Sequence, residues 1–301
     1  RGLGDVYKRQ GLSCAYFLAR LGYGVTVFER LPVAGGMLAV GIPAHRLPRD
    51  IVGAEIQLVR DLGVEIRTGT SVGQDVAVTD LLRQGYKAVY AATGMYEKAS
   101  HVAVRRRAGY KAAHASVGMY GDRELGVPGE DAARVLRGVD FLTNVSLGHK
   151  VDIGRRVAVV GGGYTAVDAA RTAARLGADE VTIVYPRTRE EMPAFSEEIA
   201  EAEEEGVKLI LLAAPTRVLV NEHGEITGLE CTRVRLGAFD NQGRRATEPV
   251  AGSEFTLAVD TVIPAIGQFA DVRDLFREDH IDTSPDGTIA VDREGKTNIP
   301  G

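Results

Sequence analysis

The run Gly161-Gly162-Gly163-Tyr164-Thr165-Ala166 fits the pattern G-x-G-x-x-A. Such a run handles phosphate without any reactive side chain. Its first glycine permits a tight turn, its second lets the backbone approach a pyrophosphate, and its small third residue lets a helix pack on a strand. The helix that follows turns free N–H groups and a positive dipole end toward the phosphates. The pattern alone is weak. Here Val157–Val160 before it reads as a short buried strand and Tyr164–Leu176 after it as a helix, which is the context the motif requires. Tyr185-Pro186-Arg187-Thr188-Arg189 ends the next strand, where an NAD site would carry an acid. Two guanidiniums there suit a ribose 2′-phosphate, so NADP is favoured over NAD. The alternative is that Arg187 and Arg189 pair with Glu190 and Glu191, which follow at once.

These residues need a scaffold, and the pattern along the chain supplies one. Strands are expected at 25–28, 64–67, 88–92, 157–160, 181–185, 208–212, 228–234 and 261–266, with helices at 11–21, 48–62, 164–176 and 196–205. Strand–helix–strand order with glycine at the junctions predicts βαβ units and mostly parallel sheets. Residues 224–252 alternate and carry turns, as an antiparallel meander would.

Two internal repeats refine this. Ala19-Arg20-Leu21-Gly22 recurs 155 residues later as Ala174-Arg175-Leu176-Gly177, each followed by a β-branched strand. The chain thus holds two copies of one βαβ unit. The second is whole. The first keeps its helix, its second strand and Glu29, an acid at the distance that accepts ribose hydroxyls of FAD or NAD. Its leading strand and first two glycines are missing, since Val6 and Lys8 stand where Gly161 and Gly163 predict glycine; Gly11 is the surviving third. Asp5–Gln10 reads as a translated sequencing adaptor, so residues 1–10 are expected not to be native. The second repeat is local: Gly85–Tyr96 returns, degraded, as Gly109–Tyr120 after Arg105-Arg106-Arg107. Only one copy is expected to be a core strand. Ala88–Gly94 is the better one, because the other puts His114 where an apolar residue is wanted.

Composition excludes several functions. Lys+Arg 36 against Asp+Glu 41 gives a net charge of −5 over 301 residues, which argues against nucleic acid. No segment has the length and apolarity of a membrane helix, and no signal peptide opens the chain, so a cytoplasmic location is the expectation. Cys14 and Cys231 cannot ligate an iron–sulfur cluster alone or form a C-x-x-C relay. The six histidines show no zinc spacing. The acidic run Glu197–Glu205 is expected to be solvated surface rather than a docking face.

Taken together, Gly11-Leu12-Ser13-Cys14-Ala15, Glu29-Arg30, Gly35-Gly36-Met37-Leu38, Gly41–Pro48, Ala92-Thr93-Gly94, Leu125–Glu130, Gly161–Ala166, Arg189–Ala194 and Ala265-Ile266-Gly267-Gln268 make the chain resemble the glutamate synthase small (beta) subunit and its flavoprotein relatives. The resemblance covers 11–301. It implies an α/β fold of two nested, Rossmann-like dinucleotide-binding domains of the glutathione-reductase type: an FAD domain in 1–140 resuming in 265–301, and an NAD(P)H domain in 141–264. It implies that Gly11, Glu29 and Arg30 line the pyrophosphate and adenosine of FAD. Gly36, Met37 and Leu38 would pass the pyrophosphate and flavin, with Gly41 and Arg46 near the isoalloxazine. Val72 would meet the adenine, and Thr93 and Gly94 would border the cofactor. Gly161, Gly163, Tyr164 and Thr165 would hold the NADPH pyrophosphate, with Arg187 and Arg189 on its 2′-phosphate and Gly267 and Gln268 near the nicotinamide. Electrons would leave for iron–sulfur centres on a partner domain or subunit outside this chain. No catalytic Ser, His or Cys is implied, although Arg46 could stabilise negative charge on reduced flavin.

The chain departs from that family where the first two FAD glycines are missing, where it stops before a Gly-Asp flavin contact, and at Pro186, where a further arginine is common. The FAD domain is therefore expected to be incomplete. Three readings follow: a flavin oxidoreductase module fed by NADPH; a fragment that binds NADP without flavin or turnover; and a thiol-disulfide reductase, disfavoured by the missing cysteine pair. The chain itself is expected to be colourless and its longer parent to be the flavoenzyme.

Overall fold

A computed structural model describes residues 10–92, 111–116, 120–239, 243–270, 279–285 and 287–299, the stretches 111–116, 120–122 and 269–270 by backbone only. The expected residues Thr93 and Gly94, the stretch 1–9 and most of the second local copy's flanks lie outside it. Contacts divide the chain into unit 1, residues 1–121 and 268–301, and unit 2, residues 122–267.

Unit 1 contains α1 (Gln10–Arg20), β1 (Gly24–Glu29), α2 (Met37–Val40), α3 (Arg49–Asp61), β2 (Glu65–Thr68), α4 (Val78–Arg83), β3 (Tyr86–Ala91) and β4 (Lys111–Ser116). Its sheet is parallel, in the order β2-β1-β4-β3. Residues 25–28 are a β-branched and aromatic run that the sheet buries on both faces, as parallel sheets require. Val25 and Val27 meet Ala15 and Leu18 of α1 and Val59 of α3, while Phe28 meets Val72, Val78 and Leu81. A C-terminal segment closes that second face: Ile281 and Ile289 pack on the Phe28 cluster. Asp279, which is 2% exposed, accepts hydrogen bonds from the N–H groups of Val78 and Thr79, both at 2.9 Å, and so caps α4 from a distant part of the chain.

The order of this sheet corrects one expectation. Both copies of the local repeat are strands of the core sheet. The second copy, β4, lies between β1 and β3 and pairs with each, Thr26 opposite Ala113 on one side and Ala113 opposite Val89 on the other. An internal strand needs an extended backbone with a donor and an acceptor at each residue, and Lys111–Ser116 provides both without a Pro or Gly.

Two short strands, β5 (Tyr120–Asp122) and β14 (Gln268–Ala270), pair with each other where the chain passes between the units.

Unit 2 holds α5 (Gly138–Ser146), β6 (Arg156–Val160), α6 (Tyr164–Arg175), β7 (Glu180–Tyr185), α7 (Ser196–Glu204), β8 (Lys208–Leu211) and β13 (Thr261–Pro264). They form a parallel sheet in the order β13-β6-β7-β8. Alternate residues of its strands serve different partners. Val157, Val159, Val181 and Ile183 face α5, α6 and α7, whereas Ala158, Val160, Val184 and Val262 face the antiparallel strands β9 (Ala213–Val220), β10 (Ile226–Phe239), β11 (Arg245–Pro249) and β12 (Phe255–Leu257). The expected meander is there, and it starts earlier, at Ala213. Helix α6 presents Ala166, Ala169, Ala170 and Ala173, all fully buried; side chains this small let it lie close on the sheet. Unit 2 begins at Asp122, ahead of the expected 141, because Leu125, Val127, Ala132 and Val135 pack on the meander-side core.

The acidic run of α7 is mostly at the surface, as expected, with Glu197, Glu201, Glu203 and Glu204 exposed. Three of its carboxylates also pair with arginines inside the unit. Arg171, buried on α6, donates to Glu201 and Glu205 at 2.6 Å each, Arg175 donates to Glu205, and Arg189 pairs with Glu203. Burial would raise the Glu205 carboxyl, but the hydrogen bonds from Arg171 and Arg175 outweigh it and hold the group below the ordinary range.

Among the described residues no helix is long and apolar enough to cross a membrane, and no group of His, Cys, Asp or Glu is placed to hold a metal ion.

Candidate functional site

In open parallel sheets, ligands gather beyond the carboxyl ends of the strands. In unit 2 that edge is built by one continuous stretch. β6 ends at Val160, the chain turns through Gly161–Gly163, and α6 begins at Tyr164 with Gly163 as its N-cap. The three glycines do different work. Gly161 has φ +144°, and a Cβ there would stand 2.3 Å from the Ala265 carbonyl oxygen, so it is required by the strand crossing beside it. Gly162 lies against Tyr185, whose ring a Cβ would meet at 2.6 Å. Gly163 alone faces open space. It is the place where a phosphate can reach the helix N-terminus. Thr165 is half-buried behind it. Tyr164 is exposed and meets the exposed Phe195 edge-on, 5.3 Å between centroids.

The strand end beside this turn is clamped. Ala194 donates its N–H to the Gly162 carbonyl at 3.2 Å, and Met192 and Ala194 are buried in the helix-side core. The Tyr185 hydroxyl donates to the Glu191 carbonyl at 2.7 Å. Arg187 donates through Nε to the Arg245 carbonyl at 2.9 Å. Arg189 pairs with Glu203, and the Glu191 carboxylate caps Thr188 rather than meeting either arginine. The alternative pairing of Arg187 and Arg189 with Glu190 and Glu191 is therefore not what the structure records among its ion pairs.

In unit 1 the equivalent edge is formed from separate pieces. Glu29 ends β1, 5% exposed, and one carboxylate oxygen accepts the Leu31 N–H at 2.9 Å. The segment after β2 returns to it: Thr70 donates to the Glu29 carbonyl and Gly69 to that of Leu31. Val72 follows, fully buried against Phe28 and Leu81. Arg30 is exposed. Gly36 N-caps the short α2 with φ +52°, and the helix carries Met37 and the buried Leu38 before Gly41. Gly41 is covered by the Met37 side chain. Arg46 is half-buried, and Gly11 is buried in the first turn of α1. No described strand runs into α1 as β6 runs into α6.

Sequence reasoning missed Arg49. Its guanidinium donates to the carbonyls of Leu38 at 3.0 Å and Ile42 at 2.8 Å, binding the Met37–Gly41 turn to α3. Burial pulls its pKa below the ordinary value. An arginine after Pro48 gave no signal of that role. Gly267 takes φ +110°, and its carbonyl accepts the Arg123 N–H at 2.9 Å. The Gln268 amide nitrogen next to it is buried with no hydrogen-bond partner among the described residues, an unspent donor beside the crossover.

The thiols are not placed for redox exchange. Cys14 sits in α1 and Cys231 in β10, in different units, and burial pushes them up to about 11 and about 12. Neither is an available thiolate near neutral pH.

The family profile described as pyridine nucleotide-disulphide oxidoreductase matches residues 10–301. The chain is 47% identical over 295 residues to the NADP(+)-dependent formate dehydrogenase subunit beta of Moorella thermoacetica, covering 97% of this chain and 38% of that one. It is 34% identical over 305 residues to the glutamate synthase [NADPH] small chain of Azospirillum brasilense, covering 97% and 58%. It therefore spans between about a third and three fifths of these relatives' lengths. Among solved structures, FprA of Mycobacterium tuberculosis in complex with NADPH matches with TM-score 0.63 at 18% identity, over 87% of this chain and 69% of that one. Thioredoxin reductase of T. acidophilum matches with TM-score 0.59 at 18% identity, over 97% and 84%.

Proposed function

The chain belongs to the pyridine nucleotide-disulphide oxidoreductase family, and from that premise we propose that it is the two-nucleotide module of a larger flavoenzyme. Unit 2 takes NADPH, unit 1 takes FAD, and electrons pass on to iron–sulfur centres of a partner domain or subunit. The observation that carries the reading is the unbroken β6–glycine turn–α6 path, with Gly163 open to a phosphate and Arg187 at the neighbouring strand end. The names of the relatives support NADPH as the donor.

The residues fit the groups. Gly161, Gly163, Tyr164 and Thr165 are the proposed cradle for the dinucleotide pyrophosphate, and Arg187 and Arg189 the contacts to its 2′-phosphate. Glu29, held below the β1 edge, is set to accept ribose hydroxyls of FAD, with Gly11, Arg30, Gly36, Met37, Leu38, Gly41, Arg46 and Val72 around the same strand edge and Thr93 and Gly94 following β3. The unspent Gln268 amide fits a carbonyl or ring acceptor on a nicotinamide or flavin, with Gly267 beside it. FAD, when bound, supplies the exchange between hydride transfer and single-electron transfer. The chain's own part is to orient, to exclude water and to set charge. The Arg49 clamp holds the Met37–Gly41 turn still, and Arg46 places positive charge on that loop.

A narrower reading is that the 301-residue chain binds NADPH without holding FAD; it draws on Val6 and Lys8, which stand where the internal repeat places glycines. The visible spectrum and thermal melting of the purified chain separate the two. A yellow protein bleached by NADPH is the result expected of the two-nucleotide module, a colourless protein whose Tm rises with NADPH supports the narrower reading, and a Tm indifferent to NADPH overturns both.

A further inference from the structure

The charges at the end of β7 do not add up to an anion site if only that stretch of chain is counted. Arg187 and Arg189 stand against Glu190, Glu191 and Glu203, and Arg189 is already paired with Glu203. Pro186 adds nothing. A ribose 2′-phosphate carries close to two negative charges near neutral pH and would enter a neighbourhood with a negative balance.

The meander changes this balance. The β10–β11 hairpin brings its second strand back with Arg245 opposite Phe239, and the Arg245 carbonyl accepts the Nε–H of Arg187 at 2.9 Å. That bond fixes the Arg187 side chain through the one nitrogen that points back along the stem. The guanidinium also bonds the Tyr185 phenol, so it is held at the strand end with a planar fork of the shape that suits phosphate oxygens. The Nε bond sets the start of β11 against the end of β7. Arg244, the residue before that contact, is exposed. The Tyr185 phenol senses it. Burial raises that group, while Arg187 and, more weakly, Arg244 draw it back, so the Arg244 charge stands at the same strand end as the turn holding Gly162.

We infer that Arg244 is a specificity-determining residue of unit 2, a further cation that joins Arg187 on the ribose 2′-phosphate from the meander hairpin. The inference rests on the reading that unit 2 takes NADPH. It gives the inserted antiparallel strands a role in choosing between the two nicotinamide dinucleotides.

Calorimetric titration of the 301-residue chain with NADP+ and, separately, NAD+ tests it. Arg244→Ala is expected to raise the Kd for NADP+ about tenfold or more, the scale of a charge-assisted hydrogen bond, and to leave the Kd for NAD+ unchanged. Arg244→Lys, which keeps the charge and loses the fork, is expected to recover part of the loss. An Arg244→Ala protein that discriminates as the parent does, or that loses both ligands alike, overturns the inference and leaves the NADPH reading standing. A parent chain that binds NAD+ as tightly as NADP+ overturns the NADPH reading and the inference together.

Discussion

Units 1 and 2 each have their own four-stranded parallel sheet, and the repeat-related strands β1 and β7 hold equivalent places in them. In unit 2 the strand next to β7 is β6, which hands the chain straight to α6 through three glycines. In unit 1 the corresponding place next to β1 is taken by β4, which arrives after β3 and leads nowhere near α1 in sequence. The lesson is that a slot in a sheet is a matter of backbone geometry, whereas a phosphate turn is a matter of connectivity. Any extended segment with free donors and acceptors can fill the first. Only a strand covalently continued into a helix makes the second. Similar architecture does not by itself decide dinucleotide binding, which has to be argued from each turn separately.

The comparison can be broken or sharpened by substitution. The largest effect is expected for Gly161→Val. A side chain at φ +144°, aimed at the Ala265 carbonyl, should destabilise unit 2 by about 3 kcal/mol or more and abolish NADPH binding. Urea unfolding and a binding titration would show this, and a variant with unchanged midpoint would mean the glycine serves the ligand alone. Ala113→Pro comes next. It removes a donor from the inner strand β4 and should cost unit 1 about 3 kcal/mol. Hydrogen exchange should then show lost protection in β1 and β3 with β6 and β7 unaffected; intact protection in β1 would remove β4 from the sheet. Smaller is Asp279→Ala, which strips the cap from α4 and should lower stability by about 1–2 kcal/mol, confined to unit 1. Faster exchange of the Val78 and Thr79 amides is the signature, and unaltered exchange there would refute the cap.

How much of this was legible in the sequence follows from range. The β6–α6–β7 unit was legible because its signals are local: a β-branched run, three glycines and a helix of alanines within thirty residues or so. Glu29 was legible through the repeat. The slot taken by β4 was not, because parallel pairing is set by partners far away and the two copies share nearly the same residues. The role of α7 was not, because Glu201 and Glu205 look like any exposed charge run until Arg171 is seen beneath them. Asp279 gave no sign of capping a helix from the other end of unit 1. Arg49 is a surface-type residue whose partners are backbone carbonyls, and composition carries no trace of that.

The position of β4 also has a consequence in time. Pairing Gly24 with Lys111 closes a stretch of chain roughly three and a half times as long as pairing Arg156 with Glu180, an added closure cost of about 1 kcal/mol. On the ribosome, β1 emerges long before the strand that covers its inner edge. Until Lys111–Ser116 follows, that edge offers unpaired N–H and C=O groups to any extended chain nearby, so the half of the protein made first is the half that stays open to wrong partners longest.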